Sequence, residues 1–567
     1  MQYSKLAEVY ESLSKTTKGL EKKTLIANFL KKIKNEPEII YLLQGRFFPD
    51  YDERESGISE QLAIKAIAKA TGIKESVVVS EFRKLGDLGK VAELLLAKKK
   101  QSSLFSSKLT TQKVLESLRK LPELEGKGTV EKKMNIIIEL LHASSPIEAK
   151  YIIRTLLNDL KIGLGSGILR DSIAESCFSP KDIEEKRQKA NLIQNAYDKA
   201  TDFAEVFSLA LKGEKALSSV SLSPGKPVKV MLYPKAKDIK DAFEIVGKPA
   251  AFEYKYDGFR MMINKSDDEK ISIFTRRLDN VTKQFQDAVK YVKEHVNAKT
   301  FIIDCEAVGY DPKTKKYRPF QDISQRIKRK YDIDKLEKEL PIELNVFDVI
   351  YYNGESLIDS PFKERRKIIE KIIKPSAFQI RLAEQIITDS DEKAESFYEK
   401  ALEDGQEGLM AKNLEAIYKP GARIGYAVKI KPNPEEFDLV ITGAEYGTGK
   451  RAGWLTSFDL SCKTKEGKLL EIGKASTGLK EKPEEGLSFV ELTKELKKLI
   501  MSEEGKHVQV KPEMVVSIGY QNIQESPSYT SGFALRFPRI LRLRPDRDIN
   551  DIATLDEIKR EVKKGRR

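Results

Sequence analysis

The sequence predicts a multidomain chain: an all-α domain, then an α/β or α+β domain, then a small β-barrel. Three observations predict it. Apolar residues recur at helical spacing from Met1 to about Lys215, as in Leu6, Val9, Tyr10 and Leu13. The run Ser218-Ser-Val-Ser-Leu-Ser-Pro-Gly-Lys-Pro227 then breaks that pattern with the composition of a linker. Beyond it strand-like runs alternate with helical ones up to Pro432-Asn-Pro434, after which strand-like runs dominate. A chain of 567 residues exceeds what one core usually supports, so domains at 1–217, 218–432 and 433–567 are each expected to bury their own.

In the first domain the spacing continues through Ile152, Ile153, Leu156, Leu157 and Leu160. Gly72 and Gly163 stand where helix C-caps are expected, the second after a helix expected to end near Lys161. The stretch Lys161-Ile-Gly-Leu-Gly-Ser-Gly-Ile168 has two readings: a plain interhelical turn, or backbone N–H groups open to a phosphate. Strands are expected at 252–262, 271–274, 301–308, 344–352, 409–412 and 427–431 in the second domain. Those of the third fall at 439–444, 457–462, 469–473 and 515–520, and they predict the barrel.

Lysine and arginine number 101 against 87 acidic residues, a formal +14. That balance suits a polyanionic partner, and a surface of interspersed ion pairs equally well. The cysteines at 177, 305 and 462 form no close pair, which suggests neither a zinc ribbon nor a disulfide framework and fits a reducing, intracellular compartment. The N-terminus lacks a signal-peptide layout and no apolar run reaches membrane-spanning length, so a soluble protein is expected.

Chemistry concentrates at Ala251-Phe-Glu-Tyr-Lys-Tyr-Asp-Gly-Phe-Arg260. Lys255 sits in a short apolar strand, where Phe252, Tyr254 and Tyr256 are expected to desolvate its amine toward a neutral nucleophile. Its attack on the α-phosphate of a nucleotide would give a phosphoramidate; the other reading is an ordinary surface lysine. Asp304 and Glu306 lie two apart on one strand, so both carboxylates face one side, for a metal or for a basic partner. Glu407 stands beside a glycine at the mouth of another strand as a second metal candidate. Lys429 and Lys431 share a strand face.

The string Lys255-Tyr-Asp-Gly-Phe-Arg260 resembles the nucleotidyl-lysine motif of the covalent nucleotidyltransferases, and its companions resemble the rest of that set in order. Glu253, Lys255 and Arg260 match the first motif and Arg276 the second. Asp304 and Glu306 match the third, and Phe347 in Asn345-Val-Phe-Asp348 resembles the aromatic that stacks on adenine. Glu407 and Gly408 match the fourth, Lys429 and Lys431 the last of the central domain, and Arg423 the phosphate-proximal arginine upstream. Arg536-Phe-Pro-Arg539 resembles the final motif of DNA ligases, whereas Arg544-Pro-Asp-Arg547 departs from the Arg-Glu-Asp-Lys common there. Gly45-Arg-Phe-Phe-Pro-Asp50, the stretch 154–163 and Gly447-Thr-Gly-Lys-Arg-Ala-Gly-Trp454 resemble the flanking domains of archaeal and eukaryotic replicative ATP-dependent DNA ligases.

The resemblance implies an all-α DNA-binding domain, an α+β nucleotidyltransferase (ATP-grasp-like) domain and a β-barrel of the OB-fold. It implies that Lys255 takes AMP from ATP, with Glu306 and Glu407 on Mg²⁺ or Mn²⁺. Nicked double-stranded DNA is the implied partner, in replication, repair and recombination, for a monomer in the cytoplasm. An RNA ligase, a capping-type guanylyltransferase and an inactive DNA-binding scaffold are the alternatives. Gln101, Leu104 and Phe105 resemble a sliding-clamp peptide.

Overall fold

A computed structural model of the chain describes residues 1–52, 54–98, 109–124, 126, 128–318, 320–328, 333–432, 435–447, 451, 453–481, 484 and 486–564. Two compact units divide it, Met1–Lys431 and Pro432–Arg567. Among the described residues no helix is long and apolar enough to cross a membrane.

The first 218 residues of the first unit are helical, around one core in which Leu6, Tyr10 and Leu13 meet Ile152, Ile153 and Leu156. Gly72 takes the left-handed cap after Glu60–Thr71, with φ 73°. Gly163 does not cap a helix. Pro146–Leu156 ends earlier, and the loop that follows is pinned by Lys22, whose Nζ donates to the carbonyl of Gly163 at 3.1 Å and to that of Ile162. Apolar spacing ran on through Leu157 and Leu160 because those side chains pack beneath the loop.

The rest of the unit carries two antiparallel-rich sheets. Its strands are β1 (Ala250–Lys255), β2 (Phe259–Lys265), β3 (Ile271–Thr275), β4 (Phe301–Tyr310), β5 (Tyr317–Arg318), β6 (Ile342–Tyr352), β7 (Glu355–Ser356), β8 (Ile380–Leu382), β9 (Gln385–Thr388), β10 (Gly408–Asn413) and β11 (Ala427–Ile430). One sheet runs β11-β10-β1-β9; the other runs β3-β2-β4-β6-β7, with β5 on β4 and β8 on β6. The apolar run 252–262 is therefore two strands in different sheets, broken at Asp257-Gly258.

Period-two alternation sends successive side chains to opposite faces of each sheet, one of them packed under helices, and the second sheet also buries Met262, Ile302 and Ile350 on its other face. Phe252, Tyr254, Leu409, Val428 and Ile430 pack under helices Ile239–Val246 and Asp391–Glu403. Met261, Ile263, Ile303, Cys305, Leu344 and Val346 pack under Gln286–His295 and Phe362–Ile372. The opposite faces carry Glu253, Lys255 and Lys412 on one sheet and Arg260, Asp304 and Glu306 on the other. Buried ion pairs lock the second sheet to its helices: Arg365 donates to both oxygens of Asp348, at 2.7 and 3.0 Å. Asp348→Ala, by leaving that guanidinium buried and unpaired, should cost about 3–5 kcal/mol, read as a shift of the urea midpoint.

The second unit is strand-rich: β12 (Glu435–Tyr446), β13 (Leu455–Lys463), β14 (Leu469–Ala475), β15 (Ile500–Glu504), β16 (His507–Val510), β17 (Val515–Tyr520), β18 (Ile523–Glu525), β19 (Phe533–Leu535) and β20 (Arg539–Leu543). β12 is shared, pairing with β17 over its first half and with β16 over its second, with a register shift against β13 between. The apolar core holds Leu439, Phe458, Leu460, Ile472, Val516 and Ile518, and helix Phe489–Lys497 packs on it. The helix Leu555–Lys564 occupies part of the basic C-terminal stretch.

Candidate active site

Lys255 is the last residue of β1, where the chain leaves one sheet for the other. The crossing is tight: a Cβ on Gly258 would lie 2.4 Å from the Ala307 carbonyl oxygen and 3.0 Å from Cγ of Glu306. Gly408, opposite Lys255 in the ladder, has φ 136°, and a Cβ there would lie 2.2 Å from the Ile430 oxygen. These two glycines let the strands close on the lysine.

The Lys255 Nζ lies 2.7 Å from Oε2 of Glu407, and the Lys431 ammonium meets the same oxygen. Burial alone would raise the Glu407 carboxyl, but Lys255 and Lys431 overcome it and hold the group at about 2. Burial lowers Lys429, and the charges of Lys431, Lys255, Arg423 and Arg276 lower it further. Lys431 is lowered by burial and then by Lys255. Cations thus crowd one place at some electrostatic cost, and phosphate oxygens relieve such crowding. Arg276, in an exposed turn just after β3, and Arg423, exposed at its bridge to Leu232 before β11, add their charge to it.

Phe252, Tyr254 and Tyr256, expected to desolvate Lys255, do not surround it. Alternation along β1 turns all three into the helix-covered core on the other face. What lies on the lysine's side is charged.

Across from it, burial pushes the Glu306 carboxyl up to about 7, with Lys255 and Arg260 opposing and Glu407 and Asp304 adding to the rise. Asp304 is not a spare ligand. Fully buried, it accepts from Nε of Arg260 at 2.7 Å and from the Tyr418 hydroxyl at 3.2 Å. Arg260 also donates to the Met231 carbonyl at 3.0 Å, which fixes its guanidinium 5.3 Å from the Phe347 ring centre. Phe347 falls where β6 slips register against β4, between Val346 and Asp348, and the extra residue re-aims its side chain. Lys412 lies 4.8 Å from the same ring, so Phe347 sits where the polar faces of the two sheets meet.

Glu253, 2% exposed, pairs with Lys412 at 2.5 Å and accepts from Nε2 of Gln385 at 2.8 Å, with Arg366 at 3.6 Å. The sequence reading missed Lys412, Gln385, Arg366 and Tyr418. Alternation along β10 puts Lys412 on the face opposite the core residues Leu409 and Ala411, a signal the sequence did carry; the other three come from distant segments and left none.

In the second unit, Arg536 donates its backbone N–H to the Asn522 carbonyl at 2.9 Å and holds its guanidinium 5.1 Å from the Phe537 ring centre. Arg539 begins β20 and is exposed. Arg544, in the divergent tetrapeptide, ion-pairs with Asp438 at 2.7 Å and Asp546 at 2.8 Å, and Arg547 lies 3.4 Å from Asp438. Those two basic positions are used inside their own domain. Gln101, Leu104 and Phe105 lie outside the described residues, as does most of 448–452.

Comparison with known proteins agrees along the chain. Residues 230–431 match the family model for the ATP dependent DNA ligase domain, 2–174 that for the DNA ligase N terminus, and 451–547 that for the ATP dependent DNA ligase C terminal region. The DNA ligase of Nanoarchaeum equitans is 46% identical over 100% of this chain and 99% of its own. That of Thermococcus fumicolans is 43% identical over 98% of each. The solved structure of Pmar-Lig_Pre shares the fold at a TM-score of 0.53, with 16% identity, over 95% of this chain and 98% of that one. With the lysine, the crowded cations and the carboxylates all in one cleft, and with these matches spanning both units, the chain belongs to the ATP-dependent DNA ligases.

Proposed function

We propose that this ATP-dependent DNA ligase forms its adenylate on Lys255, in the cleft between the two sheets. The observation that carries the reading is the Lys255–Glu407 ion pair set among Lys429, Lys431, Arg423 and Arg276. The Lys255 nitrogen attacks the α-phosphorus, an N–P bond forms, and the P–O bond to pyrophosphate breaks. Glu407, 2.7 Å away, is the nearest described acceptor for the proton that nitrogen sheds. Loss of the Lys255 charge also removes part of what holds Glu407 down, so proton acceptance becomes easier as the bond forms. Lys429, Lys431, Arg276 and Arg423 take the phosphate charge, and Phe347 with Arg260 frames the base. The AMP then passes to the 5′-phosphate of a nick, and the 3′-hydroxyl displaces it to seal the strand. Trapping AMP from labelled ATP and mapping it by mass spectrometry tests this; AMP on any other lysine overturns it.

A divalent cation fits Glu306. Its carboxyl is half-buried, is costly to ionise and accepts no hydrogen bond among the described residues, a demand an oxygen-seeking cation meets. Bound Mg²⁺ or Mn²⁺ would supply charge that offsets the reacting phosphate oxygens. Glu407 is the second candidate ligand, with its Oε2 shared between Lys255 and Lys431. The second unit reads as an OB-fold barrel, with shared strand β12 as its bent spine, and the chain as a monomer. Gln101, Leu104 and Phe105 remain the candidate clamp peptide.

Arg536 and Arg539 are assigned to the first step, where departing pyrophosphate develops charge. The Arg536→Ala, Arg539→Ala enzyme should lose self-adenylylation by about 10²–10³-fold while sealing pre-adenylated nicks near the wild-type rate. Equal loss of both steps would assign these arginines to DNA binding or folding instead.

A further inference from the structure

Asn345 is fully buried, and neither Oδ1 nor Nδ2 of its side chain has a hydrogen-bond partner. Such a group is costly, and proteins keep one only where something else is gained. Its place narrows what that is. Asn345 lies directly opposite Glu306 in the β4–β6 ladder, while Leu344 and Val346 on either side point into the helix-covered core. Side chains opposed in this way stand about 4.5–5.5 Å apart at Cβ.

The other neighbours are spoken for. On β6, Glu343 accepts from the Phe378 N–H at 2.7 Å and from the Tyr317 hydroxyl. On β8, Arg381 pairs in register with Asn345, but its guanidinium is engaged by Glu384. Glu306 is the adjacent group that accepts no hydrogen bond among the described residues. An open donor therefore stands beside an open acceptor, on the face that looks at Lys255.

We propose that Asn345 is a positioning residue: its amide donates to one oxygen of the Glu306 carboxylate and so turns the other toward the divalent cation. This rests on the reading of Glu306 as a metal ligand. Hydrogen bonds of this kind orient ligating carboxylates, and their loss weakens metal affinity by about 10–100-fold. Unpaired as it is, the amide adds no hydrogen bond to the fold itself.

The test uses the full chain with α,β-methylene ATP, which cannot transfer AMP, and Mn²⁺ as the probe, with free Mn²⁺ read by electron paramagnetic resonance. Asn345→Leu should weaken Mn²⁺ binding by about tenfold or more without lowering the melting temperature of the metal-free chain. Self-adenylylation should then need more Mg²⁺ for half-saturation yet reach the wild-type rate at saturation. Asn345→Ala checks the same affinity should leucine prove too bulky. Glu306→Gln runs in parallel. If it weakens Mn²⁺ binding while both Asn345 variants leave it unchanged, Asn345 has no such role. If Glu306→Gln itself leaves Mn²⁺ binding unchanged, the metal reading fails, and this inference with it.

Discussion

Lys255→Arg should abolish self-adenylylation, by on the order of 10⁴-fold or more, while sealing of pre-adenylated nicks survives. The substitution keeps the positive charge, so the ion pair with Glu407 and the balance against Glu306 can persist. What it removes is the nucleophile: a guanidinium holds its proton at any working pH and presents no lone pair to phosphorus. Lys255→Ala would confound loss of the nucleophile with release of Glu407 beside Lys431. If the arginine variant still forms a stable adenylate, or loses sealing of the preformed adenylate equally, Lys255 is a phosphate-binding residue and the nucleophile lies elsewhere.

Affinity for nicked duplex should fall about 10³–10⁵-fold between 50 and 200 mM salt, and change little with sequence around the nick. The formal charge of +14 is the motive, with the DNA-binding ligase family supplying the partner. Phosphate contacts release counterions, and each one released steepens the salt slope. Nicks also occur in every sequence context, so base readout would be a handicap. Filter binding across a salt series on two unrelated nick sequences decides it. A flat salt series, or a large preference for one nick, would mean that base edges are read.

Most of the candidate site was legible without the fold, for a local reason. Lys255 with Asp257 and Gly258, Asp304 with Glu306, and Lys429 with Lys431 are each contained within a few residues, and strand alternation fixes which members of each run share a face. The same alternation was misapplied to Phe252, Tyr254 and Tyr256. Being odd neighbours of Lys255, they had to point away from it, and the core under Phe243 and Phe397 claims them. Gly163 misled because apolar spacing outlasts the helix wherever a following loop is itself packed.

By itself, then, the sequence determined the order of domains, the identity of the nucleophile candidate and the faces of its strands, since period and composition are properties of short runs. Which groups confront one another was decided by tertiary structure alone. Glu253 meets Lys412, Gln385 and Arg366, Arg260 meets Asp304 and Tyr418, and Asn345 stands opposite Glu306, all across separations that no periodicity spans. The reason is that two sheets joined at Gly258 bring their polar faces together. Such an apposition depends on the register of every strand between, and a single slip at Val346 sends Phe347 into the cleft.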